Sequence, residues 1–291
     1  MDINYELYKV FYHVANTLSF SEASKQLFIS QSAVSQSIKV LEKKLNQPLF
    51  IRSTKRVQLT PEGEILLKHI EPAMNLIRQG ENQLLEANTL NGGQLRIGAS
   101  DTICRYYLVS YLKDFHRRYP NVHIKVTNQT SIACAKLLES GQVDFAITNY
   151  PNSGLSNTQN VRIIREFKDV FVANDEYKEL RGKTISLKDL KRFPILMLDR
   201  KSTTSEFLHS MFQRHQLDLV PEIELSSNDL LIDLARIGLG VAFVPDYCIP
   251  DNECSLFKVQ IEEELPTRQI VVASNDSLPI SQAAKQFMEM L

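Results

Sequence analysis

Two sets of polar residues have types and spacings that can do chemistry. The first is Gln31, Ser32, Ser35, Gln36 and Lys39. On one helix these positions share a face, because steps of three and four residues bring side chains to the same side. Gln can donate and accept toward adenine, and Ser can serve either role, so such a face can read base edges in a major groove. Lys39, with Arg52, Lys55 and Arg56 further along, can hold phosphates. The second set is a series of short polar runs: Ser100-Asp101-Thr102-Ile103, Asn128-Gln129-Thr130-Ser131, Thr148-Asn149-Tyr150, Arg200-Lys201-Ser202-Thr203-Thr204 and Ser226-Ser227-Asn228. Most directly follow an apolar run and precede a helical stretch. Hydroxyls beside helix N-termini suit a small anion such as a carboxylate or sulfur oxyanion, and Arg200 or Lys201 can add charge. The plainer alternative is that these hydroxyls are helix caps, where Ser and Thr are favoured without any ligand.

The first set requires a compact trihelical frame. Leu7, Val10, Phe11 and Val14 form an apolar stripe, extended by Ala15 and Leu18, which predicts a helix over about 4–16. Ser19 or Ser21 can cap a second, short helix, and Ser19 with Glu22 has capping-box spacing. Ala23 and Leu27 face inward on it, and the small Ala23 permits close helix crossing. Phe28-Ile29-Ser30 is a tight turn, and a third helix is expected over about 31–45, with Ala33, Val34, Ile38, Leu41 and Leu45 inward. Leu49, Phe50 and Leu59 can then anchor a hairpin carrying Arg52, Lys55 and Arg56, a wing able to reach phosphates or the minor groove. The chain as a whole has 33 basic and 34 acidic residues, yet from Lys25 to Thr60 there are seven basic residues and one acidic. That regional charge favours a DNA-binding helix-turn-helix over a merely solvated face.

A long helix should follow. Thr60 can cap it, Pro61 suits its first position, and Leu66, Ile70, Ala73, Ile77 and Leu84 form a heptad-like seam. The seam can bury against a second copy of itself or lie on its own domain. Pro72 should bend it, and Asn91-Gly92-Gly93 should end it and supply a hinge. Beyond, strand signals at 95–99, 122–126, 143–147, 194–198 and 241–244 alternate with helical stretches near 103–118, 131–140, 204–215, 228–237 and 279–290. This predicts α/β structure with mostly parallel sheets, as one doubly wound domain or two smaller lobes. In either case the polar runs sit at strand ends, where parallel α/β lobes bind ligands.

Several classes are excluded or disfavoured. Apolar residues at 43% and charged residues at 23% describe a globular chain, not a disordered or fibrous one. No apolar run is long enough to span a bilayer and no secretory signal is visible, so a cytoplasmic protein without a membrane partner is expected. Four cysteines form neither a zinc pattern nor a disulfide framework. Dinucleotide-binding, Walker, HExxH and GxSxG motifs are absent, and Asp144 and Asp246 come with no convincing base. The six histidines show no metal grouping. No enzymatic activity, cofactor or metal is expected. Cys104 and Cys134 follow the first two polar runs and a redox pair is conceivable, although buried free cysteines are mostly small hydrophobes.

The run Phe20-Ser21-Glu22-Ala23-Ser24-Lys25-Gln26-Leu27, then Ser30-Gln31-Ser32-Ala33-Val34-Ser35, Ile38, Leu41-Glu42, Leu45, Leu49-Phe50, Arg52, Leu59-Thr60 and Gly63 resembles the DNA-binding domain of LysR-type transcriptional regulators. Ser24 stands where the family usually has a second alanine. The resemblance implies an α/β protein with an N-terminal all-α winged helix-turn-helix domain (1–60), a linker helix and hinge (61–92) and a two-lobed, periplasmic-binding-protein-like effector domain (93–291). Lobe I would comprise about 93–162 with 268–291, and lobe II about 163–267. It further implies pairing through the linker helix, assembly as a homodimer or homotetramer, partly palindromic double-stranded promoter DNA, a small-molecule effector and contact with RNA polymerase. Effector contacts would fall at Ser100, Thr102, Thr130, Thr148 and Thr203, with Ile103 and Ser226 in the same strand-end runs. The competing readings are a redox-responsive regulator using Cys104 and Cys134, or an architectural DNA-binding protein without a ligand.

Overall fold

The computed structural model describes residues 3–52, 56–87, 93–156, 159–250, 253–276 and 278–291. The chain divides into two compact units, one of which holds residues 1–88 with 140–142 and the other nearly all the rest.

The first unit opens with three helices, α1 (Tyr5–Thr17), α2 (Phe20–Leu27) and α3 (Gln31–Leu45). Each starts on a side-chain cap. Asn4, Ser19 and Ser30 accept hydrogen bonds from the backbone N–H groups of Glu6, Glu22 and Ala33. Each also ends on a residue with positive φ: Leu18, Phe28 and Asn46. Val10, Phe11, Val14, Ala23, Val34, Ile38 and Leu41 are buried between the helices. Two residues expected inside are not. Leu18 is turned out by its left-handed cap geometry and is 47% exposed, and Ala33, in the first turn of α3, is exposed.

The hairpin is present as β1 (Phe50–Arg52) paired antiparallel with β2 (Val57–Leu59). Leu49 and Phe50 are buried, and the Phe50 ring lies 5.5 Å from Phe11 and 5.9 Å from Phe20. Glu42, the one acid between Lys25 and Thr60, accepts from the backbone N–H groups of Leu49 and Phe50 at 2.9 and 3.3 Å. Its carboxylate therefore fixes the start of the wing.

Helix α4 (Pro61–Ala87) continues through Pro72. Thr60 caps it, accepting from Gly63 at 3.0 Å while donating to the Pro48 carbonyl at 2.7 Å. Leu66 and Ile70 pack on the trihelical core. The later seam is open: Ile77 is 57% exposed, Leu84 is 72% exposed, and Ala73 is exposed. Gly63 admits no larger residue, because a Cβ there would sit 2.3 Å from the Leu49 carbonyl oxygen. Gly63→Ala is expected to cost about 2 kcal/mol, the usual range for overpacking against backbone. A melting curve of the variant at or above that of the native chain would refute this.

The second unit contains two sheets. Its elements in chain order are β3 (Gly93–Ala99), α5 (Asp101–Ile103), α6 (Val109–Arg118), β4 (Val122–Asn128), α7 (Ser131–Glu139), β5 (Phe145–Tyr150), β6 (Gln159–Phe167), β7 (Asp169–Ala173), β8 (Thr184–Ile185), α8 (Leu187–Leu190), β9 (Ile195–Leu198), α9 (Thr203–Arg214), β10 (Ile223–Leu225), α10 (Asn228–Arg236), β11 (Val241–Pro245), β12 (Phe257–Ile261), β13 (Arg268–Asn275) and α11 (Gln282–Met290). A π-helical turn at Cys104–Leu108 joins α5 to α6. The first sheet has the order β4-β3-β5-β13-β6 and the second β10-β9-β11-β7-β12-β8. The chain crosses from the first to the second at Lys168 and returns between β12 and β13.

One sequence expectation is corrected. The sheets are mixed: β13 runs antiparallel to β5 and β6, and β7 antiparallel to β11 and β12. The strands next to the crossings reverse direction. In the first sheet β6 pairs with β13 from Gln159 to Phe167. Both sheets are covered on two faces by apolar clusters, as parallel-type strands require. Asp144 is structural: Arg96 grips its Oδ1 at 2.6 and 3.2 Å, and the Arg96 N–H donates to its Oδ2 at 2.8 Å. Among the described residues no helix is long and apolar enough to cross a membrane.

Candidate functional site

Helix α3 presents Gln31, Ser32, Gln36 and Lys39 to solvent, with Ser35 half-buried between them. The opposite face carries the buried Val34, Ile38 and Leu41. Position and polarity follow from one amphipathic period, which leaves the polar edge standing out from a rigid support. Ser32 is partly committed, since its hydroxyl lies 2.9 Å from that of the cap residue Ser30. Arg56 is exposed at the start of the second wing strand. Arg52 ends β1, but its side chain, like the whole of Lys55, lies outside the described residues.

A cleft of about 280 Å³ opens between the two sheets of the second unit. It is lined by strand ends and helix starts from both: Ser100, Asp101 and Thr102 after β3, Asn128 to Ser131 after β4, and Asn149 near the end of β5. From the second sheet come Leu198, Asp199, Ser202, Thr203, Thr204, Ser226 and Asn228. Of the expected effector residues, Ser100, Thr102, Thr130, Thr203 and Ser226 therefore meet at one cavity. Ile103 and Thr148 do not line it. Both are fully buried, Ile103 in the apolar cluster of the first sheet and Thr148 on β5.

The capping alternative is realised at two of these positions. Ser100 accepts from Ile103 N–H and Thr130 from Ala133 N–H, both at 3.3 Å. Thr102 does something else. Its hydroxyl accepts from the Asn228 amide at 2.9 Å, so one hydrogen bond spans the cleft from α5 to α10. Two further links cross nearby. The Tyr106 hydroxyl donates to Asp229 at 2.6 Å, and Arg105 pairs with the same carboxylate at 3.4 Å. On the other flank Ser153 donates to Glu206 at 3.0 Å. The expected positive charge is not found in the cleft. Arg200 lines a separate cavity with His209, and Lys201 is exposed with its backbone N–H on Asp199. Among the described residues no Lys, Arg or His lines the 280 Å³ cleft.

Residues 5–64 match the model of the bacterial regulatory helix-turn-helix protein of the lysR family, and residues 88–291 match the LysR substrate binding domain. The chain belongs to the LysR family of transcriptional regulators. It is similar to a probable RuBisCO transcriptional regulator of Gracilaria tenuistipitata var. liui, 30% identical over 92% of this chain and 89% of that protein. In fold it is similar to full-length CbnR complexed with its target DNA (TM-score 0.65, 18% identity, 99% of this chain and 98% of that one). It is also similar to the Synechocystis PCC6803 CcmR regulatory domain in complex with 2-PG (TM-score 0.61, 20% identity, 68% of this chain and 95% of that one).

Within this LysR-family chain, sequence reasoning missed Arg268. It is 1% exposed and stands first in β13. Its guanidinium donates to Asp169 at 2.7 Å, Thr204 at 3.1 Å and Thr203 at 3.1 Å, between the rings of Phe167 and Phe207 at 5.3 and 5.0 Å. It ties the strands at both crossings to the start of α9, and so sets the position of a cleft-lining threonine. A single arginine after Pro266-Thr267 carries no spacing signal, which is why periodicity could not find it.

Cys104 and Cys134 of this LysR-family chain lie in surroundings that disfavour the thiolate. Burial pushes the Cys104 thiol up to about 11, with Asp101 adding to the rise, and burial pushes Cys134 to about 12. Thiolate, the reactive form, is then scarce at neutral pH. Cys254 is exposed. Alkylation of the native protein at pH 7.5 is expected to label Cys254 at least tenfold faster than Cys104 or Cys134. Peptide mass mapping showing Cys104 labelled first would restore the redox reading. Among the described residues no group of three or more His, Cys, Asp or Glu can hold a metal ion.

Proposed function

We propose that this chain binds promoter DNA through α3 and the wing, and that a small metabolite in the interlobe cleft changes the geometry of that binding. The observation that carries the reading is the cleft itself: polar groups from both lobes converge on it, and the Thr102–Asn228 hydrogen bond already joins them across it. A ligand held by both walls stabilises one lobe arrangement over another, and its differential affinity is what shifts the equilibrium. The anionic part of such a metabolite is met by helix N-termini, with no basic side chain needed. The chain acts in the cytoplasm as a homodimer or homotetramer. The exposed Ile77 in the α4 seam supports pairing, since two such seams bury each other. A twofold pair of recognition helices reads a palindrome, and the altered geometry is passed to RNA polymerase.

Footprinting on promoter fragments at fixed salt, with and without candidate metabolites, tests this. A footprint that changes length or spacing with one metabolite is expected. An unchanged footprint with every metabolite would favour an architectural protein, and no DNA binding at all would remove the reading. The helix makes its own prediction. Gln36→Ala should lose about tenfold discrimination at one base pair while nonspecific affinity stays the same, as expected for a lost base-edge contact. Lys39→Ala should weaken all sequences alike and reduce the log–log salt slope by about one. Equal losses across sequences for Gln36→Ala would argue against base reading.

A further inference from the structure

The start of α3 breaks the amphipathic pattern that the rest of the helix keeps. From Phe28 to Ala33 six consecutive residues are exposed, and three of them are apolar: Phe28 at 95%, Ile29 at 41%, and Ala33 in the first helical turn. Phe28 also stands in the left-handed region, at φ 55 and ψ 36, which bulky residues rarely adopt. Two backbone hydrogen bonds fix the turn, from Phe28 N–H to the Lys25 carbonyl at 3.2 Å and from Ile29 N–H to the Ser24 carbonyl at 3.1 Å. The caps of α1 and α3 share this geometry, but Leu18 is more than half covered and Asn46 is polar. At Phe28 alone among the three, a fixed turn holds a whole aromatic ring in solvent.

Charge and position decide what covers the ring. Between Lys25 and Thr60 the single acid, Glu42, is committed to the Leu49 and Phe50 N–H groups. Glu22, just outside that stretch, is paired with Lys25 at 3.3 Å. The surroundings are therefore basic, which suits a polyanion better than an acidic or neutral protein face. The ring is also continuous with the polar edge of α3, since Gln31 and Ser32 follow within four residues. Most of a duplex offers a phenyl ring nothing. Phosphates and polar base edges are hydrated, and covering them with an apolar group strips water without replacing its hydrogen bonds. Thymine is the exception in the major groove, because its C5-methyl gives Phe or Ala an apolar contact.

We propose that Phe28 is a specificity-determining residue that packs on a thymine methyl group in the major groove, beside the bases met by α3. This rests on α3 being the helix that reads DNA. The test starts from duplexes selected out of a random-sequence library by the full-length native protein at fixed salt. Each thymine of the selected site is then replaced, one at a time, by deoxyuracil, which lacks only the C5-methyl. At one thymine or more the native protein should lose about fourfold in affinity, the effect of one buried methyl-sized group. For Phe28→Ala the same replacement should cost nothing, because the contact is already gone. Phe28→Asn, which accepts the left-handed turn and lacks the ring, should behave like Phe28→Ala and so exclude a change in the turn as the cause. A methyl effect of equal size in native and variant proteins would overturn the inference and leave the ring to a protein partner. A site with no methyl-sensitive thymine, or a loss in Phe28→Ala that is the same on every sequence, would overturn it too. In these cases the α3 reading stands. If the library yields no preferred duplex, the inference and the α3 reading fall together.

Discussion

Replacing Arg268 by Met should destabilise the protein by about 3–5 kcal/mol, the usual cost of leaving one partner of a buried ion pair alone. Asp169 is 1% exposed and its Oδ2 is held by Arg268 at 2.7 Å, while its Oδ1 has no partner among the described residues. Methionine keeps most of the length between Phe167 and Phe207 but supplies no charge. For a domain of this size the melting midpoint should fall by roughly 10 °C. The deficit should also depend on pH. Burial pushes the Asp169 carboxyl above its ordinary range, and Arg268 pulls it back. Without the arginine the folded carboxyl titrates higher still. Below the unfolded carboxyl's value both states are protonated and the penalty is gone. It grows as pH rises and is complete above the raised folded value. Thermal melts of native and variant protein between pH 5 and 8 check this. A constant difference across that range would mean that Asp169 is not the source, and a second substitution, Asp169→Leu, should recover part of the loss at neutral pH.

What the sequence disclosed divides along a physical line. Helices α1 and α3 were readable within about a residue and α2 as a short helix with Ser19 or Ser21 as cap, because an apolar stripe and a Ser or Asn cap are local signals. The polar edge of α3 followed from the same period. The strand-end hydroxyls were readable as candidates for the same reason, and most of them meet at the cleft. Features set by distant partners were not. β6 is exposed along much of its length and β13 almost wholly buried, so neither shows the expected alternation, yet their pairing fixes where the first sheet ends. Asp101 and Asn149 lie inside the polar strand-end runs and Asp199 lies one residue before another, none with a local signal as plain as a hydroxyl beside a helix start. The sign of the cleft depends on which charges turn away from it. Arg200 turns away, and only three-dimensional placement shows that.

Thr102→Val should raise the ligand concentration needed for a half-maximal change in the promoter footprint by about ten- to a hundredfold, while DNA affinity without ligand stays within a factor of two. The substitution conserves shape and removes one hydroxyl. That hydroxyl holds the Asn228 amide at 2.9 Å, and Asn228 already carries one buried oxygen without a partner. Losing Thr102 leaves the nitrogen unsatisfied too, and an unmade bond of this kind costs about 1–3 kcal/mol in a buried setting. The cost falls on the arrangement in which α5 and α10 face each other across the cleft, and so on the state that a ligand between them selects. Helix α3, the proposed reader of DNA, carries no part of that network, so DNA affinity is spared. Asn228→Ala separates the two explanations for a blunted response. If Thr102 matters through the bridge, the double variant responds like either single one. If it matters only by touching the ligand, the two losses add. A variant with Thr102→Val and an undiminished response would take both the bridge and the residue out of the effector mechanism.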